Sequence, residues 1–456
     1  MIKIESLFFY LLIFSIPIQA RLILHSWTKP FNQWTSASLY GTDILLGALF
    51  ILWLVRIYRH RMPLDLSTSH VLRRQQLSSP AAWLLFFFIV CLISIVNSHF
   101  IGLAFYQLIK LTEFIGFYFY LRSSRSVIFD FRSLLLIIIV SGFFQSMVAI
   151  TQYIKQGGLG LRLLGESPLS VDATGVAVFF ADGIKYMRAY GTTPHPNVLA
   201  AWLFVAIFAL YFYYCYLYKN SNGRYLSGAG KESLLMAVYA IVLLAFFFTF
   251  SRVVIGLWGL GVVLRVLIVF FKRNSQDIAS QVKSRIVVLT VVSLAILFLF
   301  SIIFWPQVKS RIHISAQEEA VTQRIYYNKI AGSAAASHPL IGVGVGQFIP
   351  EMMAKFKHLP VMAYQPAHNI YLLMVSETGF IGLSAFLLFL FFSFYRFIKD
   401  GDFKKLATFS FLFFTFSFLL VGLFDHFLWT LQQGSLIFWM TLALLNSDLP
   451  ASKGGS

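Results

Sequence analysis

Residues 286–304 read IVVLTVVSLAILFLFSIIF, nineteen consecutive positions without a charge or a proline. At about 1.5 Å per residue, a helix of that length rises about 29 Å, which matches the roughly 30 Å of hydrocarbon in a bilayer. Lipid offers no water to an unpaired backbone, so such a run must satisfy its own hydrogen bonds as a helix, and a sheet is excluded. Working outward, comparable runs lie near 6–24, 42–58, 81–97, 101–121, 133–153, 197–218, 233–250, 252–271, 368–395, 406–424 and 427–446. We therefore expect an all-α, polytopic transmembrane helical bundle of about 12 spans.

Composition points the same way. Of 456 residues, 58% are hydrophobic and 12% charged, against about 25% charged in a soluble domain. Fifty Phe and 21 Tyr suit lipid and its borders. The formal charge of +18 gathers in short connectors, as the positive-inside rule requires, and no nucleic-acid-binding motif accompanies it. Nucleic acid is thus not an expected partner, whereas membrane lipid is. Cys91 and Cys215 fall inside apolar runs near opposite faces, too far apart for a disulfide. The N-terminal MIKIESLFFYLLIFSIPIQA has Ala20 as a candidate cleavage residue, but Ile18 suits the −3 position poorly and Lys3 is opposed by Glu5. It reads as a retained first span. The two halves of the chain show no internal repeat.

Every second connector is basic. One side receives Arg56, Arg59, Arg61, Arg73 and Arg74, then Arg122, Arg125 and Arg132, then Lys219, Arg224 and Lys231. The same side takes Lys272, Arg273, Lys283 and Arg285, and finally Arg396, Lys399, Lys404 and Lys405, while the opposite short connectors hold little beyond Lys29. Both termini are expected in the cytoplasm. The organisation is then 1–153 N-terminal helices, 154–196 a first extracytoplasmic loop, 197–304 central helices, 305–367 a large extracytoplasmic loop, 368–446 C-terminal helices and 447–456 a cytoplasmic tail.

Long loops in compact chains are usually functional, and both outer loops carry structure signals. In VAVFFADGIKYMRAY, Asp182-Gly183 separates two short alternating runs, which predicts a hairpin. Ser315 and Glu318 form a capping box before a helix bearing Arg324. Phe348, Met352 and Phe356, four apart, predict a short amphipathic helix. We expect both helices to lie along the outer membrane surface.

The polar residues worth chemistry converge on this side. Arg252, in FTFSRVVIGLWGL, opens a span; it is either a border anchor or an anion clamp, since guanidinium binds phosphate through paired hydrogen bonds. Arg324, with Arg311 nearby, stands on the loop helix. His368-Asn369 opens the tenth span, where an imidazole near its usual pKa can take a hydroxyl proton, or simply cap the helix. Glu377 lies about two turns deeper and needs either an arginine or a neighbouring backbone. The first loop supplies Arg188 and, in YGTTPHPNVLAAWL, His195 and Asn197.

His338 precedes Gly342, Gly344 and Gly346, a Gly-rich stretch without the Lys-Ser/Thr of a P-loop, read as a tight turn. Asp400-Gly401-Asp402 reads as a plain Lys-flanked turn. Lys110 and Glu113, three apart, predict an intramembrane pair. Asp425-His426 sits outward between the last two spans and is placed beside a cavity. No His or Cys spacing suggests a metal.

In order along the chain, YGTTPHPNVLAAWL, FTFSRVVIGLWGL, QRIYYNKIAGSAAASHPLIGVGVGQF, AHNIYLLMVSETGFIGL and DHFLWTLQQG resemble the O-antigen ligase and O-antigen polymerase superfamily of bacterial envelope glycosyltransferases. The resemblance covers roughly 150–445. It implies glycan transfer on the extracytoplasmic face of the bacterial inner membrane, in envelope polysaccharide synthesis, with a glycan on undecaprenyl diphosphate as donor and no metal, nucleotide or other cofactor. It implies that Arg252 and Arg324 hold the diphosphate, that His368 is the general base and that Glu377 is the acidic residue of the Glu-Thr-Gly string. Arg188, His195 and Asn197 match its Arg-x-Tyr-Gly and His-Pro-Asn segment. Arg311, His338 and Asn369 complete the expected substrate-binding set. The acceptor is a glycan, lipid or protein. Ligase, polymerase and O-linked protein glycosylation readings differ in that acceptor alone, and a lipid-linked glycan transporter is the alternative of a different class.

Overall fold

The computed structural model describes residues 1–60, 79–125, 127–217, 229–271, 280–312, 319–400 and 406–446. The Ser315–Glu318 capping box, Gly401-Asp402, the 447–456 tail and the connector cations Arg61, Arg73, Arg74, Lys219, Arg224, Lys272, Arg273, Lys404 and Lys405 lie outside the described residues.

The chain opens with α1 (Ile2–Ser15), followed by a hairpin of β1 (Arg21–Ser26) and β2 (Ser36–Tyr40). It continues through α2 (Gly41–His60), α3 (Pro80–Ser94), α4 (Ile101–Ser124) and α5 (Phe131–Lys155). A second hairpin, β3 (Val178–Ala181) with β4 (Ile184–Met187), leads into α6 (Pro196–Phe212), α7 (Ala229–Phe248), α8 (Arg252–Phe271) and α9 (Ser280–Ile303). Then come α10 (Trp305–Ile312), α11 (Glu319–Ser337), α12 (Phe348–Lys355), α13 (Ile370–Asp400), α14 (Leu406–Val421), α15 (Phe427–Thr430) and α16 (Gln432–Leu445).

Helix occupies part or all of each of the twelve apolar runs. Among the described residues, seven helices are long and apolar enough to cross a membrane, and α7 and α14 supply shorter apolar helices. The expected boundaries move at both ends of the chain. The first run stops being helical at Ser15, and its last residues pass into β1. The final run divides into α15 and α16 where Leu431 takes an extended conformation.

Apolar side chains all round a helix place it at the centre of a bundle, and α6 follows that rule: every residue but Asn197 and Phe208 is buried. It packs against α5, α7, α8 and α16. The outer helices α8 and α9 leave Phe270, Phe271, Val291 and Phe298 exposed, a surface that suits lipid rather than water.

Two ionic ties cross the bundle. Arg56 donates from Nε and Nη2 to the Glu5 carboxylate at 3.0–3.2 Å and from Nη2 to Ser124 Oγ at 2.7 Å, joining α1, α2 and α4. Arg56, expected as a connector charge, is thus a buried structural partner. The Lys110–Glu113 pair forms at 2.6 Å, and Lys110 also reaches Asp43 at 2.7 Å.

Asp182 and Gly183 both take positive φ between β3 and β4, the two-residue turn that the Asp-Gly signal predicts. Phe348 and Met352 are buried on α12, while Phe356 follows the helix and is half-exposed. The Gly-rich stretch has a more specific task than a turn. Helix α13 breaks at Gly379, with φ 68°, and the freed backbone pairs with the incoming chain. Val343 N donates to Ser376 O at 2.9 Å, Gly344 N to Glu377 O at 3.0 Å, and Phe380 N to Pro339 O at 2.8 Å. A side chain at Gly342 or Gly379 would collide with the opposing backbone.

Replacing Arg56 by Met leaves a carboxylate buried and unpaired, and should destabilise the fold by about 3–5 kcal/mol. The Glu5→Leu/Arg56→Met double variant should recover most of that loss. Thermal unfolding in detergent measures both, and a Tm for Arg56→Met equal to that of the parent chain would contradict the assignment.

Candidate active site

Several helix ends meet where the polar residues gather. His195 caps α6, its Nδ1 accepting from Asn197 N at 3.1 Å. Arg188, just after β4, is buried; its Nε donates to Thr249 O and its Nη2 to Asn197 Oδ1, both at 2.6 Å. Asn197 Nδ2 then donates to Asp425 Oδ2 at 2.6 Å. One amide therefore couples a cation from the first loop to a carboxylate 228 residues away in the chain. The other oxygen, Asp425 Oδ1, accepts from the His426 backbone at 2.8 Å.

Imidazoles surround this carboxylate. The His426 ring lies edge-on to His368 at 4.9 Å and to Trp34 at 5.1 Å, and its Nδ1 shares a 2.6 Å hydrogen bond with Thr430 Oγ1. His368 stacks on Tyr327 of α11 at 6.1 Å, and its buried Nδ1 has no hydrogen-bond partner among the described residues. Burial, helped by the Arg188 charge, pushes His195 down to about 3. Burial, with the neighbouring His368, does the same to His426, also to about 3. His368 is lowered by burial and by Arg324, against the pull of Asp425. Burial alone would raise Asp425, but the surrounding histidines and the Asn197 hydrogen bond hold it below the usual carboxylate range. Near neutral pH the cluster is one carboxylate among neutral rings.

Guanidinium groups supply the opposite charge. Arg252, at the start of α8, donates from Nε to Arg311 O at 2.8 Å. The Arg311 guanidinium lies 5.7 Å over the Phe179 ring of β3. Arg324 of α11 has a buried Nε with no partner among the described residues. Arg188 feels both Arg311 and Arg324 as like charges, and Arg324 also acts on His195, His368 and His426. Arg188 and Arg324 thus bear on Asp425 or its histidines, Arg311 bears on Arg188, and Arg252 is tied on through Arg311. Such an excess in a partly dry region favours an anion.

The expected residues thus divide. Arg188, His195, Asn197, Arg324 and His368 come together, with Arg252 and Arg311 adjoining. Asn369 caps α13, its Oδ1 accepting from Tyr371 N and Leu372 N at 2.9 and 3.1 Å. His338 contacts the Ser337 hydroxyl at the end of α11. Glu377 sits at the α13 break, where it accepts from Phe348 N at 3.4 Å and Trp429 Nε1 at 3.5 Å. Of its two anticipated partners it takes the backbone, and among the described residues it has no arginine. Asp425-His426 lies at the centre rather than at the margin. The signal for it was an Asp-His pair interrupting two apolar runs. Among the described residues, no group of acids, histidines and cysteines has the arrangement of a metal site.

Residues 235–387 match the O-antigen ligase family. The stretch runs from α7 into the second half of α13 and contains Arg252, Arg311, Arg324, His368 and Glu377. Arg188, His195, Asn197 and Asp425 join it from either side. No curated protein matches the chain. With its several apolar helices the chain is a multi-pass membrane protein, and its residues 235–387 are similar to the O-antigen ligase family.

Proposed function

We propose that the chain transfers a glycan from undecaprenyl diphosphate to an acceptor hydroxyl at the extracytoplasmic rim of the bacterial inner membrane, inverting the anomeric centre and using no metal. The observation that carries this reading is the collection of guanidiniums around a single buried carboxylate and three imidazoles. It lies at helix termini: His195 caps α6, Arg252 opens α8, Asn369 caps α13 and Asp425 follows α14. A transporter would be expected to keep its polar site near the bilayer midplane.

In the proposed reaction the acceptor oxygen attacks the anomeric carbon, the bond to the diphosphate oxygen breaks, and its electron pair stays on the diphosphate. Arg324 and Arg252 stabilise that growing negative charge, more strongly than water because they are fixed and partly desolvated. His368 takes the acceptor proton through an unpartnered ring nitrogen, and Asp425 stabilises the imidazolium that results. A single displacement inverts the sugar. The prenyl tail requires access from lipid, which suits a cluster at span ends. A ligase, a polymerase and a protein-glycosylating enzyme would share these steps. The alternation of basic connectors supports cytoplasmic termini, with the 154–196 and 305–367 loops outside.

Reconstituted with a lipid-linked glycan and its acceptor, His368→Ala should lose about 10²–10⁴-fold in kcat while keeping its Tm. Arg324→Ala should lose about 10²–10³-fold, and Arg324→Lys should not restore the forked contact. Undiminished turnover in both alanine variants would overturn the assignment. The protonated imidazole is inactive as a base, so the rate should fall as pH drops through the His368 pKa, at a pH below its ordinary 6.5. Asp425 raises that pKa, so Asp425→Asn should move the acidic limb to still lower pH and reduce the plateau. A limb that stays in place would separate Asp425 from the base.

A further inference from the structure

A chamber opens beside the histidine cluster, bordered by β2, α4, α13 and α15–α16. Trp34 and Thr430 belong to both places: each lines the chamber, and each touches His426, through the 5.1 Å ring contact and the 2.6 Å hydrogen bond. Whatever fills the chamber therefore lies next to the imidazoles.

Its lining has a definite chemistry. Period-2 alternation along β2 turns Ser36, Ser38 and Tyr40 to the chamber. Gln33, Gln107 and Gln432 add three amides. Gln432 is 3% exposed; its Nε2 donates to Asp43 Oδ1 at 2.6 Å and Thr42 Oγ1 at 3.2 Å, while its buried Oε1 has no partner among the described residues. Trp34, Trp429, Tyr106 and Phe348 supply aromatic surface. Charge is subdued. Lys110 is held by Asp43 and Glu113, and the other lining ions, Arg21 and Glu377, are opposite in sign.

A diphosphate gains little from such walls, but a pyranose fits them. A sugar ring offers apolar C–H faces to aromatic side chains and a rim of hydroxyls, each both donor and acceptor, to amides and serines. The unpartnered Gln432 Oε1 is an acceptor awaiting such a hydroxyl. We propose that this chamber is a saccharide subsite, which holds an uncharged pyranose of the donor or acceptor glycan against the reacting centre. The proposal rests on the transfer reading above and adds where the sugar is held.

The test uses the full chain in nanodiscs, titrated by tryptophan fluorescence with two probes. One is the soluble glycan cleaved by mild acid from the host's polyprenyl-diphosphate pool; the other is the deacylated acceptor glycan. At least one should perturb the fluorescence, and Gln432→Leu and Trp34→Ala should weaken that binding about tenfold. In turnover assays, the KM of the same glycan substrate should rise about tenfold with kcat within about threefold, and Trp34→Phe should recover most of the loss. Which KM moves identifies the donor or the acceptor as occupant.

A fall in kcat at constant KM would make Trp34 merely a positioning residue for His426 and overturn the subsite. Unchanged binding and KM in all variants would overturn it too, while wild-type turnover leaves the transfer reading standing. Glycan binding by a chain that transfers nothing would remove the transfer reading and keep the sugar site. Neither binding nor transfer would remove both.

Discussion

The structure turns on a buried carboxylate, Asp425, held among groups that individually disfavour a low-dielectric setting. Arg188 is buried and cationic, and it reaches Asp425 through the Asn197 side chain rather than directly. Removing the carboxylate would leave several like charges facing one another with little solvent to screen them. Because Asn197 is the second residue of the central helix α6, this relay also fixes the first loop and the connector between α14 and α15 to the middle of the bundle. Packing and electrostatics are there the same interaction.

The surrounding fold can be read as the means of keeping that cluster at a helix-end rim. Helix α13 breaks rather than continuing straight, and the glycines before it let the outer-loop backbone take over the released hydrogen bonds. The break presents Glu377 beside Trp429, next to the chamber that borders the imidazoles. On the other side, β1 and β2 bring Trp34 to His426. Short hairpins and broken helices are costly in hydrocarbon unless protein surrounds them, and here the backbone freed at the α13 break is taken up by residues 339–344.

Local signals in the sequence identify much of this. Uncharged stretches such as 286–304 identify the helices, Asp182-Gly183 identifies a hairpin, and Lys110 three residues from Glu113 identifies an ion pair. The readings that fall short involve partners distant in the chain. Nothing near Arg56 shows that Glu5 would meet it, and nothing near Lys110 shows Asp43. The apolar RLILHS of β1 has the composition of a span end, so the first hairpin is hidden in the first apolar run. The α13 break is hidden likewise, since Gly379 stands in an otherwise helical apolar stretch. Asp425-His426 is visible as polar, yet its central place depends on Asn197 and His368, which only folding brings near. Of the candidate residues, His338 and Asn369 make local hydrogen bonds at helix ends.

The functional account reduces to whether the guanidinium and imidazole cluster receives a prenyl diphosphate. The most direct measurement is an experimental structure of the full chain in nanodiscs with undecaprenyl diphosphate bound. The account requires the phosphates within hydrogen-bond distance of the Arg324 or Arg252 guanidinium, with His368 facing the terminal phosphate where a sugar would be attached. Phosphate density away from all of these groups, with the cluster left to itself, would contradict it.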